Sequence, residues 1–231
     1  MKVTRQTTLI EVPHLGSTLT VEYPFLQGTY FDLAEQIDAK QLQRPSMAQT
    51  ASLVYDAFKN PADDKQISDE IKQIMKKDFF YTFNGLLYTP EGVYVQDNPE
   101  FSKEAKSAND LVMNEKDLQS RLGSNDPSIR FVPYGFKRES QTYQELEKNP
   151  LVIALAGKEG AEKLAYIASQ HKEKPYLYAL ENVKEPTKRV AGLDSDWNGD
   201  RLYLNGNYHG YIACRHSFGV RPQNFSSGNK G

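Results

Sequence analysis

Two short stretches near the start of the chain alternate apolar and polar residues. Residues 7–12 (TTLIEV) and 18–23 (TLTVEY) have the period of two that puts one face of a strand on a core. Pro13-His14-Leu15-Gly16 between them reads as a turn. The period then lengthens. From Asp32 to Gln43, apolar Leu33, Ile37 and Leu42 predict a helix with Asp32 as N-cap, ended by Pro45. Ser46 predicts the cap of a second helix running to about Lys59, with Met47, Leu53, Val54, Ala57 and Phe58 as its buried stripe. Beyond Pro61, Ser68 predicts the cap of a third, with Ile67, Ile71, Ile74 and Met75 on one face.

Residues 79–89 carry the sharpest local signal. FFYTF, Asn84-Gly85 and LLYT predict a β-hairpin with a type I′ turn, because Asn and Gly tolerate the positive φ angles that turn requires. Pro90-Glu91-Gly92 predicts a further turn into VYVQ. Residues 97–128 are polar and read as a connection with a short helix after Asn114. Then follow a strand at 129–136, a short helix at 141–148 and a strand at 151–156 (LVIALA). A helix at 158–170 burying Ala161, Leu164, Ala165 and Ala168 precedes strands at 175–180 and 188–193. Short strands and Gly-rich turns run onward, and the tail NFSSGNKG is expected to be disordered. No fixed-period repeat is present. Grouped strands and grouped helices imply an α+β fold. The chain divides on this basis into a 1–100 portion with three helices and a hairpin, and a 101–231 domain.

Charge narrows the partners. A net charge of −2 and a pI near 6.1 give no excess of positive charge for nucleic acid or an anionic membrane. No run reaches the 18 or so apolar residues of a membrane span. The segment MKVTRQTTLIEV has no apolar h-region, so no secretory signal is expected. The expected site of synthesis is a reducing cytosol, with later release, for example inside a virus particle, left open. Cys214 is the only cysteine, which excludes a disulfide framework or a zinc cluster within one chain. The 14 tyrosines suit either half-buried strand positions or a contact surface.

Composition breaks near residue 189. The chain holds 19 Lys and 16 Glu, yet none falls between Arg189 and Asn229. Within Asp194–His216 (DSDWNGDRLYLNGNYHGYIACRH), eighteen of twenty-three residues are Asn, Asp, Tyr, Gly, His, Arg, Ser or Cys. All eight have codons of the form NNY, and an Asn codon (AAY) reaches each by changes at its two adenines. It never reaches Lys, Glu, Gln, Met or Trp, so Trp197 would be templated or differently encoded. A turn-rich C-terminal sheet would account for the Asn and Gly. It would not account for the missing Lys and Glu.

Several chemistries fit poorly. Asp194, Asp196, Asn198 and Asp200 form a DxDxNxD string, but Asn205 stands where an EF-hand requires a bidentate Glu. His209, Cys214 and His216 match no zinc spacing well. Cys214 and His216 could share a strand face as nucleophile and base, but no oxyanion device or third orienting group is evident. Gly157-Lys158-Glu159-Gly160 hints at phosphate binding at a helix start, but lacks a Walker loop. No metal, cofactor or enzymatic activity is expected.

The segment LVIALAGKEGAEKLAYIASQHKEKPYLYALENV, followed by RVAGLDSD, GDRLYL and the terminal Phe218-Gly219-Val220-Arg221-Pro222, resembles the variable proteins of diversity-generating retroelements, most closely those of archaea and archaeal viruses. The resemblance covers about residues 150–222. It implies a C-type lectin fold, in the variant shared with formylglycine-generating enzymes, whose oxidase chemistry calls for a cysteine pair that one Cys cannot supply. It also implies a variable region at about 194–216, rewritten by a reverse transcriptase that misincorporates at adenines. The altered side chains would meet a protein or glycan ligand on another cell or particle.

A surface of this kind needs apolar anchors alternating with free positions. Leu202 and Leu204 are expected to point inward and Tyr203 and Asn205 outward, with Ile212 and Phe218 as further anchors. Asp200-Arg201 is expected to be an ion pair or turn brace. The expected contact set is Asp196, Trp197, Asn198, Tyr203, Asn205, Asn207, Tyr208, His209, Tyr211, Cys214 and His216. A fixed-sequence sugar-binding or enzymatic domain on the same scaffold is the alternative.

Overall fold

The structure, a computed structural model, describes residues 8–61, 64–195 and 200–222. The tail NFSSGNKG and the expected contact residues Asp196, Trp197 and Asn198 lie outside the described residues. Within them the fold is α+β, with six α-helices and a large mixed sheet. No helix among them is long and apolar enough to cross a membrane.

The chain opens with an antiparallel hairpin of β1 (Thr8–His14) and β2 (Ser17–Tyr23), closed by Leu15 and Gly16, both at positive φ. The turn is thus two residues long, and Pro13 and His14 belong to the strand. After β3 (Leu26–Gly28) comes α1 (Tyr30–Ala39). Its N-cap is Thr29, not Asp32. Asp32 sits at N3 and returns a bond to the Thr29 backbone, forming a capping box. Helix α2 (Met47–Lys59) begins at Ser46 as the pattern predicts. Helix α3 (Lys65–Lys77) begins earlier than expected, because Asp64 accepts from the Ile67 N–H, and Ser68 lies buried inside the helix.

The predicted hairpin at 79–89 is instead one strand, β4 (Phe79–Tyr88), buried at all ten positions. Asn84 and Gly85 do not have the positive φ that a type I′ turn needs. They mark an irregularity in the pairing with β9 (Thr187–Ser195), between Thr82 and Gly85. Here the backbone bonds elsewhere: Phe83 N–H donates to Pro45 O (2.8 Å), and Phe83 O accepts from Asn98 N–H (2.7 Å). The Asn84 side chain accepts from Met47 N–H (2.7 Å) and donates to Asp97 (2.6 Å). A local turn signal has become a tertiary hook on the first turn of α2. The turn at 90–92 is present, and β5 (Gly92–Asp97) returns antiparallel to β4.

Next come α4 (Glu115–Gly123), capped by Asn114, then β6 (Ile129–Pro133), β7 (Glu139–Ser140) and α5 (Tyr143–Glu147). Residues 151–156 are helical rather than extended. Asn149 caps and Pro150 starts α6 (Pro150–Ser169), which is kinked at Gly157 (φ 69°). The run is apolar because α6 packs against both α2 and α5, so burial on several sides mimics a core strand. Gly157-Lys158-Glu159-Gly160 is therefore a kink between two helical segments, not a strand-to-helix loop. Strands β8 (Tyr176–Tyr178), β9, β10 (Leu202–Tyr208) and β11 (Arg215–Ser217) complete the fold.

The sheet runs β3-β11-β4-β9-β10-β8-β7, with β5 also on β4 and β6 on β5. Strands from either side of residue 100 interleave in it, so the two expected portions share one sheet. One face packs under α2, α3 and α6 through Phe80, Leu86, Leu193, Leu202 and Leu204. The other is partly covered by α1, α4 and residues 108–113, through Phe79, Tyr81, Phe83, Leu87 and Val190. That second cover stops short of β10 and β8.

A buried polar cluster pins the first hairpin to the helices. Lys163 Nζ donates to Pro13 O and Ser52 Oγ (both 2.9 Å) and pairs with Glu159 (2.6 Å), while His14 Nδ1 lies 2.8 Å from Ser52 Oγ. Burial, and then the Lys163 charge, lower the His14 pKa below its ordinary 6.5, opposed by Glu159. Burial lowers His209 and His216 as well.

Two predictions follow from these contacts. Asn84→Ala strips an acceptor from the buried N–H of Met47, costing about 1–3 kcal/mol. Thermal melting should drop by several degrees, whereas a surface-turn asparagine would tolerate the change. Second, each of these histidines stays neutral in the fold at a pH where it takes up a proton in the unfolded chain. Their contribution is therefore full above about pH 6.5 and is lost as pH falls below that through the lowered folded values. Melting curves across that range should show the fall, and His14→Gln should reduce its slope.

Candidate functional site

Strand β10 carries the expected alternation. Leu202 and Leu204 are fully buried, while Tyr203 and Asn205 face a groove of about 510 Å³ on the partly uncovered side of the sheet. The register shows why these residues meet others distant in sequence. Tyr203 lies opposite Asp194 of β9 and Tyr176 of β8; Asn205 lies opposite Gly192 and Tyr178. Asp194 in turn lies opposite Phe79 of β4. The groove is lined by Lys76, Lys77, Asp78, Phe79, Tyr178, Asp194, Ser195, Tyr203, Asn205, Tyr208, Ile212 and Arg215.

Beyond Asn205 the pairing with β9 slips, so Tyr208 lies opposite Val190 and its ring returns to the groove side. It lies over Gly192, where an added Cβ would come within 2.7 Å of the ring. It stacks on Phe79 (centroids 4.2 Å apart, 6° between planes), and its hydroxyl donates to Asp194 Oδ2 (3.0 Å). Burial, then the charge of Asp194, push the Tyr208 phenol well above its usual range. Of the expected contact tyrosines it is the one built most firmly into the framework.

The remaining expected residues divide. Asn207 turns to Arg189, whose Nε donates to its side-chain oxygen (2.8 Å). His209 and Tyr211 approach each other (ring centroids 5.4 Å apart), and Tyr211 is 59% exposed. Their loop is held from below by backbone bonds. Tyr30 N–H donates to Gly210 O (3.0 Å), and Ala108 N–H donates to His209 O (2.7 Å). Cys214 is exposed at positive φ. His216 is drawn away to Asp78 (3.2 Å) and Gln27 (2.7 Å), and its ring faces Phe80 of the main core. Burial lowers its pKa and the Asp78 charge opposes that. Thus the structure gathers Tyr203, Asn205 and Tyr208 in one groove, sets His209, Tyr211 and Cys214 on the following loop, and leaves Asn207 and His216 outside the groove.

Both further anchors are in place: Phe218 is fully buried and Ile212 packs against the second cluster. Asp200 and Arg201 brace the start of β10, but not by pairing with each other. Asp200 pairs with His171 (3.0 Å) and Arg201 with Glu173 (3.6 Å), both just beyond α6. Of the DxDxNxD string, Asp194 and Asp200 are described, and they turn to Tyr208 and His171 respectively.

Sequence reasoning missed the contributors from outside the expected variable region, among them Phe79 and Tyr178, and left Asp194 and Arg215, which lie within that region, out of the contact set. The Tyr-Leu-Tyr alternation at 176–178 was a usable signal for an outward aromatic pair. For Phe79 no local pattern pointed here. A second hollow, about 590 Å³, opens between residues 133–137 and 144–150 and includes none of the expected contact residues. No protein-family model matches the chain, and the comparisons with curated proteins and with solved structures also return no match.

The contact of Tyr208 with Gly192 generates a test. Gly192→Ala should destabilise by about 1–3 kcal/mol through overpacking. Adding Tyr208→Ala should recover part of that loss, a coupling that a double-mutant cycle in denaturant melts would measure.

Proposed function

We propose that this protein is a ligand-binding protein displaying a hypervariable surface on a C-type lectin fold, diversified by adenine-directed retroelement mutagenesis, and that it is not an enzyme. One observation carries this reading. None of Tyr203, Asn205, Asn207, Tyr208, His209, Tyr211, Cys214 or His216 is fully buried, while Leu202 and Leu204, which alternate with Tyr203 and Asn205 on β10, are. On strand β10 the side chains of the NNY class thus keep access to solvent, and the two leucines hold the strand to the core.

The energetics favour such a division. Strand β10 is hydrogen-bonded on both edges, to β9 and β8, through backbone groups indifferent to side-chain identity. Leu202 and Leu204 each contribute about 1.5–3 kcal/mol by burial. An outward substitution on such a strand typically changes stability by no more than about 0.5 kcal/mol. The ligand surface in this reading is Tyr203, Asn205 and Tyr208, extended by His209, Tyr211 and Cys214, with protein or glycan as ligand class. Asn207 and His216 act more as framework than as contacts.

Replacing Tyr203, Tyr211 and Cys214 in turn with Ser, His, Asp or Asn should leave the melting temperature within about 2 °C of the parent. Leu202→Asn or Leu204→Asn should lower it by far more. Sequencing sibling copies checks the genetic half: differences confined to about 194–216 and to NNY codons, beside a template repeat with adenine at those positions. Differences scattered along the chain, or melts as sensitive at Tyr203 as at Leu204, would reject the reading.

A further inference from the structure

The first hairpin has one outer edge in use and one open. Its two-residue turn makes His14 and Ser17 a hydrogen-bonded pair, so Val12, Ile10 and Thr8 also bond to β2. The main-chain groups of Leu9, Glu11 and Pro13 therefore point away from β2. On β2 the corresponding outward groups are engaged: Glu22 N–H donates to Gly219 O (3.0 Å), and Thr20 O accepts from Arg221 N–H (2.9 Å). On β1 the carbonyl of Pro13 accepts from Lys163 Nζ (2.9 Å). The N–H and C=O of Leu9 and of Glu11 have no partner among the described residues, and β2 is the only strand paired with β1 among them.

This open edge borders a hollow of about 210 Å³, between residues 8–12 and the flanks of α2 and α3. Its apolar lining comes from Ile10 and Val12 on the strand and from Leu53, Ala57, Ile67 and Ile71 on the helices. The charged residues that line it, Glu11, Asp56 and Asp64, are all acidic. Asp56 and Asp64 each accept one bond from a neutral group, the Asn60 amide (2.8 Å) and the Ile67 N–H (3.1 Å), so neither charge is offset by a cation there. Leu9 and Glu11 are both exposed.

From this geometry we infer that β1 is a docking edge for an extended basic segment of another protein, which joins the hairpin as a third strand. Its backbone bonds to Leu9 and Glu11, its aliphatic side chains lie over the apolar lining, and its cationic side chains meet Glu11, Asp56 and Asp64. A second copy of this chain fits less well, because it would bring two acidic edges together. None of these residues lies within 194–216 or lines the groove at β10, so the inference stands apart from the variable-surface reading.

Fluorescence anisotropy of a labelled Lys-Val-Lys-Val-Lys-Val-Lys peptide, titrated with the full chain, tests it. The peptide should bind saturably. A Glu-Val counterpart, and a Lys-Gly counterpart of equal charge but poor strand propensity, should bind at least about tenfold more weakly. Leu9→Pro removes an outward N–H without touching the ladder to β2, as Pro13 already does on the same edge, and should weaken binding about tenfold. Glu11→Gln with Asp56→Asn should weaken it several-fold and flatten its salt dependence. Circular dichroism on each variant verifies folding. On the parent chain, N-methylating only the lysines or only the valines of the peptide should abolish binding in one case and spare it in the other, because alternate residues of an added strand bond to its neighbour. Absence of saturable binding overturns the inference. So does binding that the Lys-Gly peptide matches, that Leu9→Pro leaves unchanged, or that both N-methylated peptides retain or lose alike. Dimerisation of the parent chain that Leu9→Pro abolishes also overturns it, since that assigns the edge to a second copy.

Discussion

Strand β4 has solvent on neither face and partners along both edges. Strand β9 runs beside its whole length, while β11 at Phe80 and β5 from Asn84 to Tyr88 share the other edge. A backbone in that position must satisfy every amide internally, and the single irregularity at Thr82–Gly85 is resolved by Pro45, Asn98 and the Asn84 side chain. Everything that positions the groove refers back to this strand. Phe79 supports Tyr208 from below, Phe80 joins the main core beneath β11, and β9 passes the register on to β10.

The groove follows from an unequal covering of the sheet. Helices α2, α3 and α6 seal one face, so Leu202 and Leu204 have a fixed interior to enter. On the other face, α1 and residues 108–113 cover β4 and then end. The uncovered remainder is where Tyr203, Asn205 and Tyr178 lie. A strand held by backbone bonds and by inward leucines can change its outward residues with little effect on the fold. Tyr208 is the exception, because stacking on Phe79, contact with Gly192 and the bond to Asp194 make it part of the support as well as of the surface.

The segment after β10 is anchored at both ends, by backbone bonds at its start and by buried side chains at its close. Backbone bonds from Tyr30 and Ala108 hold Gly210 and His209, and Phe218 and Val220 close the segment onto the core and the first hairpin. Between these fixed points, Tyr211 and Cys214 are free to differ without disturbing either anchor.

What the sequence determined by itself was whatever depends on near neighbours. The Ser46 and Asn114 caps, the first hairpin, and the inward leucines with outward Tyr203 and Asn205 are set by contacts within a few residues; the caps and the alternation stand where the pattern put them, and the hairpin differs only in its shorter turn. The composition break between Arg189 and Asn229 was also visible only as sequence. Tertiary structure decided the rest. Asn84-Gly85 has the local chemistry of a tight turn, but pairing along both edges of β4 and the hook on Met47 outweigh that preference. Residues 151–156 are apolar enough for a core strand, but Asn149 and Pro150 start a helix there and its neighbours bury it on several sides. Phe79, Tyr178, Asp194 and Tyr203 became one surface only because strand register joins residues more than a hundred positions apart, and no local pattern encodes which edges will pair.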